Sequence, residues 1–281
     1  MRQVFLCLCA FTWILSPAAA APKKSKPAET VATELWSLAF PGAHPQAAFF
    51  DAASSALFVS VGDAEGARVD RVSLEGKLLK KGVTRAKGAP GSLRAYDGRI
   101  YWIAGDQVMS FTDEGTLSLG RLLKENGDPV DLALGRSGAV FVGMSDGSLL
   151  RLEAGLSSVE FRGQPITGLF LLEDTLFILR GTRLQSVTLA NFSDPESNAA
   201  SFCSVNCYGL ERTSSGYWLT TQKGKVLEVD GTRTKVLLTT GKSLGRPAYV
   251  YRKDPKDDFF VIPFPEEGMV RAFRMTAPSL K

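Results

Sequence analysis

The sequence predicts an all-β fold, a six-bladed β-propeller of four-stranded antiparallel blades closed by its own N-terminal strand. Three observations carry this expectation. Six apolar, aromatic-bearing cores recur along the chain: Leu57-Phe58-Val59, Tyr101-Trp102-Ile103, Val140-Phe141-Val142, Leu176-Phe177-Ile178, Tyr217-Trp218-Leu219 and Phe259-Phe260-Val261. Anchored on Phe58, Tyr101, Phe141, Phe177, Trp218 and Phe260, they step by 43, 40, 36, 41 and 42 residues. A strand-built repeat of that length is the mark of a radial propeller, whose blades cannot bury their faces alone. Glycine turns then separate consecutive strand-like runs at Glu75-Gly76, Glu114-Gly115, Asp146-Gly147, Lys223-Gly224 and Asp230-Gly231; glycine supplies the positive φ of tight hairpins. Finally, the runs alternate with period two. In Lys225-Val226-Leu227-Glu228-Val229, Val226 and Glu228 face one way and Leu227 and Val229 the other.

The elements follow in order. Residues 1–20 read as a signal peptide: Met1-Arg2 is the positive start, Val4 through Leu15 the apolar run, and Ser16-Pro17 the break. Ala18-Ala19-Ala20 then supplies the small residues of a cleavage site. The apolar run is well short of the roughly 20 residues that span a bilayer, so no transmembrane segment is expected. The implied location is outside the cytoplasm: periplasmic in a Gram-negative bacterium, secreted otherwise. Residues 21–32 lack apolar periodicity and read as a flexible tether. The propeller occupies 33–281, its ordered body starting near Glu34. Glu34 through Phe40 alternates like a strand yet precedes the first inner strand, so it is expected to pair with Met269 to Met275 as the outer strand of the sixth blade. Inner strands begin after Pro45, Pro90, Pro129, Pro165 and Pro247, with Cys207 at the fifth position; proline suits a strand entry because it cannot donate to the ladder. Blade five reads as Gly216 to Thr221, Lys225 to Val229 and Lys235 to Thr239.

Without the first 32 residues the net charge is about +1, which asks for neither nucleic acid nor an anionic membrane. Lys77, Lys80, Lys81, Arg85 and Lys87 form the densest basic stretch, read as protection of an outer-strand edge. Cys7 and Cys9 fall in the signal peptide, leaving Cys203 and Cys207. In an exported chain these read as a local disulfide; a zinc site would need a second pair of ligands. The stretch from Phe192 to Ser201 is the longest irregular insertion, suited to a loop over one face. A monomer is expected.

The inner-strand openings Pro45-Gln46-Ala47, Asp128-Pro129-Val130-Asp131-Leu132-Ala133 and Tyr208-Gly209-Leu210, with Lys223-Gly224-Lys225-Val226-Leu227, resemble a known group. They look like the six-bladed senescence-marker/gluconolactonase/luciferin-regenerating-enzyme family. That resemblance implies a lactone hydrolase with one divalent ion, such as Ca²⁺, held in the channel by a Glu, two Asn and an Asp. Position by position, this chain departs from that set. It has Gln46 for the Glu, Val130 and Thr167 for the two Asn, and Tyr208 for the Asp. A Ca²⁺ ion wants six to eight oxygens, several of them charged, so no cofactor is expected.

Asp131, the carboxylate kept from the opening, and His44, the only histidine, are the candidate catalytic residues. Ser92, Asp128 and Asp131 are the partners a Ser-His-carboxylate system would draw on. Asp131 can equally be a hydrogen-bond acceptor tying inner strands together. Gln46, Arg94, Asp131, Tyr208, Arg246 and Tyr249 are the candidate ligand-binding residues, the arginines and Tyr249 placed at channel-end loops. The function expected is an exported, non-catalytic propeller that binds a partner protein or small-molecule ligand through those loops. The alternative is a divalent-metal-dependent hydrolase of the lactonase type.

Overall fold

In the computed structural model the described residues are 31–122, 124–135, 138–153, 156–189, 200–201, 206–213, 216–221, 223–230 and 233–276. Among them, 24 strands form six antiparallel sheets of four. Strand β1 (Val31–Ala39) comes first. Blade one is β2 (His44–Asp51), β3 (Ala56–Asp63), β4 (Gly66–Val72) and β5 (Leu78–Ala86). Blade two is β6 (Pro90–Tyr96), β7 (Arg99–Ala104), β8 (Gln107–Thr112) and β9 (Gly115–Arg121). Blade three is β10 (Pro129–Leu134), β11 (Val140–Met144), β12 (Leu149–Glu153) and β13 (Leu156–Phe161). Blade four is β14 (Gly168–Leu172), β15 (Thr175–Arg180), β16 (Arg183–Thr188) and the two-residue β17 (Ala200–Ser201). Blade five is β18 (Cys207–Arg212), β19 (Tyr217–Thr221), β20 (Lys225–Asp230) and β21 (Arg233–Thr239). Blade six is β22 (Ala248–Val250), β23 (Phe259–Phe264) and β24 (Met269–Thr276), completed on its outer side by β1.

The inner strands β2, β6, β10, β14, β18 and β22 touch in ring order, and β22 closes on β2. Both faces of each blade are covered, because each blade stacks on the next. Six apolar clusters result, one at each seam between neighbouring blades. The alternation in β20 has this cause: Val226 enters the seam with blade six, while Leu227 and Val229 enter the seam with blade four. Each fully buried large apolar side chain contributes roughly 1.5–3 kcal/mol, so the seams hold the ring shut.

Closure is made by β1, which pairs antiparallel with β24 from Val31 opposite Thr276 to Ala39 opposite Met269. Pairing therefore begins at Val31, two residues inside the stretch read as tether, because the alternating pattern extends upstream through Ala32. Trp36 bolts this strand to blade one. Its Nε1–H donates to the Leu74 carbonyl at 2.8 Å, and its ring lies over Gly76, which holds a φ of +78°. A Cβ at Gly76 would sit 2.5 Å from that ring, so the turn needs glycine for both its backbone and its neighbour. The residues read as a signal peptide, Cys203 and residues 192–199 of the insertion lie outside the described residues; Ala200 and Ser201 form β17. Among the described residues no helix is long and apolar enough to cross a membrane.

Trp36→Ala removes the hydrogen bond and the ring from the closing seam; a loss of about 2–3 kcal/mol of stability is expected. Deleting residues 31–39 leaves β24 with an open edge and is expected to abolish the single cooperative transition in urea followed by circular dichroism. An unchanged midpoint in both variants would refute closure by β1.

Candidate functional site

Each aromatic anchor of the repeat faces one inner-strand residue across its blade. Phe58 pairs with Phe49, Tyr101 with Arg94, Phe141 with Ala133, Phe177 with Phe170, Trp218 with Glu211 and Phe260 with Tyr249. The repeat thus puts Phe49, Arg94, Ala133, Phe170, Glu211 and Tyr249 on one level of the channel. The residue before each, from Ala48 to Ala248, is buried and locks its strand against a neighbour. One step nearer the strand starts, the level is built mostly of small residues: Ala47, Ser92, Gly168 and Gly209 stand with Asp131 and Pro247. Those small residues leave space on the axis, and charged side chains fill it.

In a ring of six, blade three lies opposite blade six, and blade two opposite blade five. Asp131 of β10 pairs with Arg246, two residues before β22, through Oδ2 and Nη1. Arg94 of β6 approaches Glu211 of β18 at 3.7 Å. Two ion contacts therefore cross the channel between opposite blades. Asp131 is wholly buried and fully engaged. Its Oδ1 accepts from the Ser92 hydroxyl at 2.5 Å and the Leu132 amide at 2.9 Å; its Oδ2 accepts from the Leu169 amide at 2.7 Å. One carboxylate thus ties blades two, three, four and six.

The arginines are interior groups rather than the channel-end loop residues the sequence suggested, each side chain 12% exposed. Arg94 donates to the carbonyls of Leu93, Leu169 and Leu210 at 2.9, 3.4 and 3.2 Å. Arg246 donates to the Thr167 carbonyl at 3.3 Å, and its amide meets the Gln46 carbonyl at 2.9 Å. Burial lowers the Arg246 pKa from its ordinary value, and Asp131 pushes it back up.

Glu211 differs from Asp131. It accepts no hydrogen bond from the described residues, and its contact with Arg94 is long. Burial raises its carboxyl first, Arg94 and Arg246 pull it down and Asp131 pushes it up; the result is a pKa of about 7. The same carboxyl lines a cup of about 410 Å³ with Phe49, Phe50, Phe170, Tyr249 and Tyr251. Arg212 and Thr213 complete it. The walls come from the C-terminal halves of four inner strands, so the cup opens where those strands end. Phe50 and Tyr251 meet edge to face at 5.3 Å, and Tyr249 stands 5.0 Å from Trp218. The Tyr249 hydroxyl donates to Asp258. Burial pushes the Tyr251 phenol up, with Glu211 and Asp51 adding to it. A larger groove of about 1030 Å³ lies outside the channel, beside Leu35, Trp36 and Arg252, away from the converging inner strands.

Of the residues read from the sequence, Asp131, Arg94 and Arg246 come together, and Tyr249 stands beside them in the cup wall. His44 does not join them. Its Nδ1 lies 2.9 Å from the Pro265 carbonyl, and no hydrogen bond links it to Ser92 or a carboxylate among the described residues. The side chain of Tyr208 is outside the described residues. Cys207 is buried at the start of β18 and disulfide-bonded. Sequence reasoning missed Glu211, Phe49, Phe50, Phe170 and Tyr251. The repeat could have found the first, second and fourth, since they lie opposite the aromatic anchors.

A divalent ion in the channel does not fit these residues. Two guanidinium groups flank Asp131, whose oxygens are already taken, and Val130 offers no side-chain oxygen. Among the described residues no three His, Cys, Asp or Glu side chains gather as a metal site.

No protein-family model matches the chain, and a sequence search of curated proteins finds no match either. Solved structures do match in shape. A streptogramin B lyase aligns with a TM-score of 0.62 at 10% identity, covering 88% of this chain and 98% of that one. A catalytically inactive variant of virginiamycin B lyase from Staphylococcus aureus, with quinupristin, gives 0.59 at 10% identity, covering 88% and 100%. The WD40 propeller domain of Doa1 gives 0.61 at 11% identity, covering 82% and 78%. At these identities the likeness concerns the fold.

The raised Glu211 pKa fixes a pH dependence. Below about pH 4.5 the group is protonated folded or unfolded; as pH rises from there to about 7, stability falls, and above 7 the loss is constant. Glu211→Gln is therefore expected to stabilise the protein at pH 8 by on the order of 1–3 kcal/mol and to change little at pH 4. Urea titrations at both pH values check this; equal effects at the two would refute it. Asp131→Ala leaves Arg246 buried without its carboxylate, and a loss of about 3–5 kcal/mol is expected.

Proposed function

We propose that this protein is an exported, non-catalytic propeller that binds a small ligand in the aromatic cup at the end of its channel. The observation that carries the reading is the convergence of Phe49, Phe50, Phe170, Tyr249 and Tyr251 from blades one, four and six around one carboxyl that has no hydrogen-bond partner among the described residues. A concave, mostly apolar cavity of this size with few polar groups is the usual form of a small-molecule site. Catalysis is disfavoured by geometry: Asp131 is consumed by structural bonds, and His44 stands apart from any nucleophile. The lactonase alternative loses its basis with the donor set. The N-terminal signal pattern supports export, and pairing of Cys207 with Cys203 would suit an oxidising compartment.

The test is a fragment screen by thermal shift on the mature protein, repeated on the Phe50→Ala/Tyr251→Ala double variant. Tyr251 is 55% exposed, so the variant is expected to fold. Fragments that raise the wild-type midpoint by several degrees should lose that effect in the variant. Hits that survive unchanged place binding elsewhere, and release of product from aldonolactones by the purified protein would overturn the non-catalytic reading.

A further inference from the structure

The cup also contains what selects its ligand, and this step rests on the cup being the binding site. Its walls are five aromatic rings. Glu211 is the carboxylate of the level where Arg94 sits opposite, yet the Arg94 nitrogens are engaged by the carbonyls of Leu93, Leu169 and Leu210. Arg94 thus spends its hydrogen bonds on backbone carbonyls while lying 3.8 Å from Asp131 and 3.7 Å from Glu211, and the Glu211 carboxyl lines the cavity without a hydrogen-bond donor among the described residues. Asp131 and Arg246 satisfy one another a level away. Among the described residues the one cation lining the cup itself is Arg212, an exposed residue near enough to Tyr217 to pull its pKa down against burial, which raises it.

We infer that the cup takes an organic cation, an ammonium group seated among the aromatic rings with its charge against Glu211. Aromatic faces attract such a cation through their quadrupoles, more strongly where the contact is desolvated. An anion would meet a carboxylate at the inner end of the cup. A neutral sugar would need several matched donors and acceptors, and the Tyr249 hydroxyl is already committed to Asp258. An ammonium group asks for one carboxylate and apolar walls. The arrangement also accounts for a carboxyl kept where it destabilises the unliganded fold: a bound cation supplies the partner that the protein withholds.

The test compares choline with 3,3-dimethylbutan-1-ol, which has the same shape without the charge, by isothermal titration calorimetry on the mature protein at constant ionic strength. At pH 8 choline should bind at least tenfold more tightly. Near pH 6, where Glu211 is mostly protonated, the preference should shrink; Arg94, Arg246, Asp131, Tyr249, Tyr251 and Arg212 are the other charged or titratable groups around it. Glu211→Gln should bring choline to the affinity of the alcohol and leave the alcohol unchanged. Equal binding of both probes by the wild type overturns the cation and leaves the cup standing as a site. A preference that survives Glu211→Gln, or binding of neither probe, also overturns it; in the last case the fragment screen decides separately whether the cup binds anything.

Discussion

The bond between Asp131 and Arg246, reaching across the channel from blade three to blade six, is the constraint on which the rest of the structure depends. A propeller is held at its seams by apolar contact, and that contact says nothing about what occupies the axis. Here the axis is filled by the chain's own charges. Burying a charge is costly unless it is paired and hydrogen-bonded, and Asp131 meets that condition with four partners from blades two, three, four and six. Removing it would strand a guanidinium in the interior. The channel is consequently filled along part of its length by the chain's own charged side chains, and the aromatic cup lies at the end where the inner strands finish.

That arrangement explains why one carboxylate is inert and another is available. Asp131 sits on a level of small residues and is surrounded by amides, a hydroxyl and a guanidinium. Glu211 sits one level on, opposite an arginine whose hydrogen bonds go to backbone carbonyls. The first group is structural glue; the second carries an energetic penalty that the fold does not recover in its unliganded state. Groups of this kind concentrate at functional sites, where stability yields to recognition. The rigid inner strands then hold the aromatic walls in place, so little ordering entropy is lost on binding.

Much of the fold was legible in the sequence because blades repeat. The six aromatic anchors, the proline entries and the glycine turns mark the strands, and the alternation of Glu34 to Phe40 reveals the closing strand. The site was less legible. Arg94 and Arg246 were visible as candidates, yet their burial comes from strands of other blades meeting around them, a fact of three-dimensional register that one strand at a time does not show. Glu211 looks like an ordinary polar residue beside Leu210; only its pairing with Trp218 places it on the level of Phe49, Phe170 and Tyr249. Tyr251 follows the last residue of β22 and has no repeat signal at all. The family resemblance pointed to the right architecture, while two guanidinium groups lie beside Asp131 in the channel.

The central claim is that Asp131 takes up the axial donors while Glu211, 3.7 Å from Arg94, is left without a hydrogen-bond donor among the described residues. The direct measurement is a pH titration of the Glu211 side-chain carboxyl by carbon-13 NMR, its resonance assigned by its absence in Glu211→Gln. The account predicts a midpoint near 7 in the unliganded protein. A midpoint in the ordinary carboxylic-acid range of about 4 to 4.5 would show a carboxylate already paired or solvated, and would contradict it.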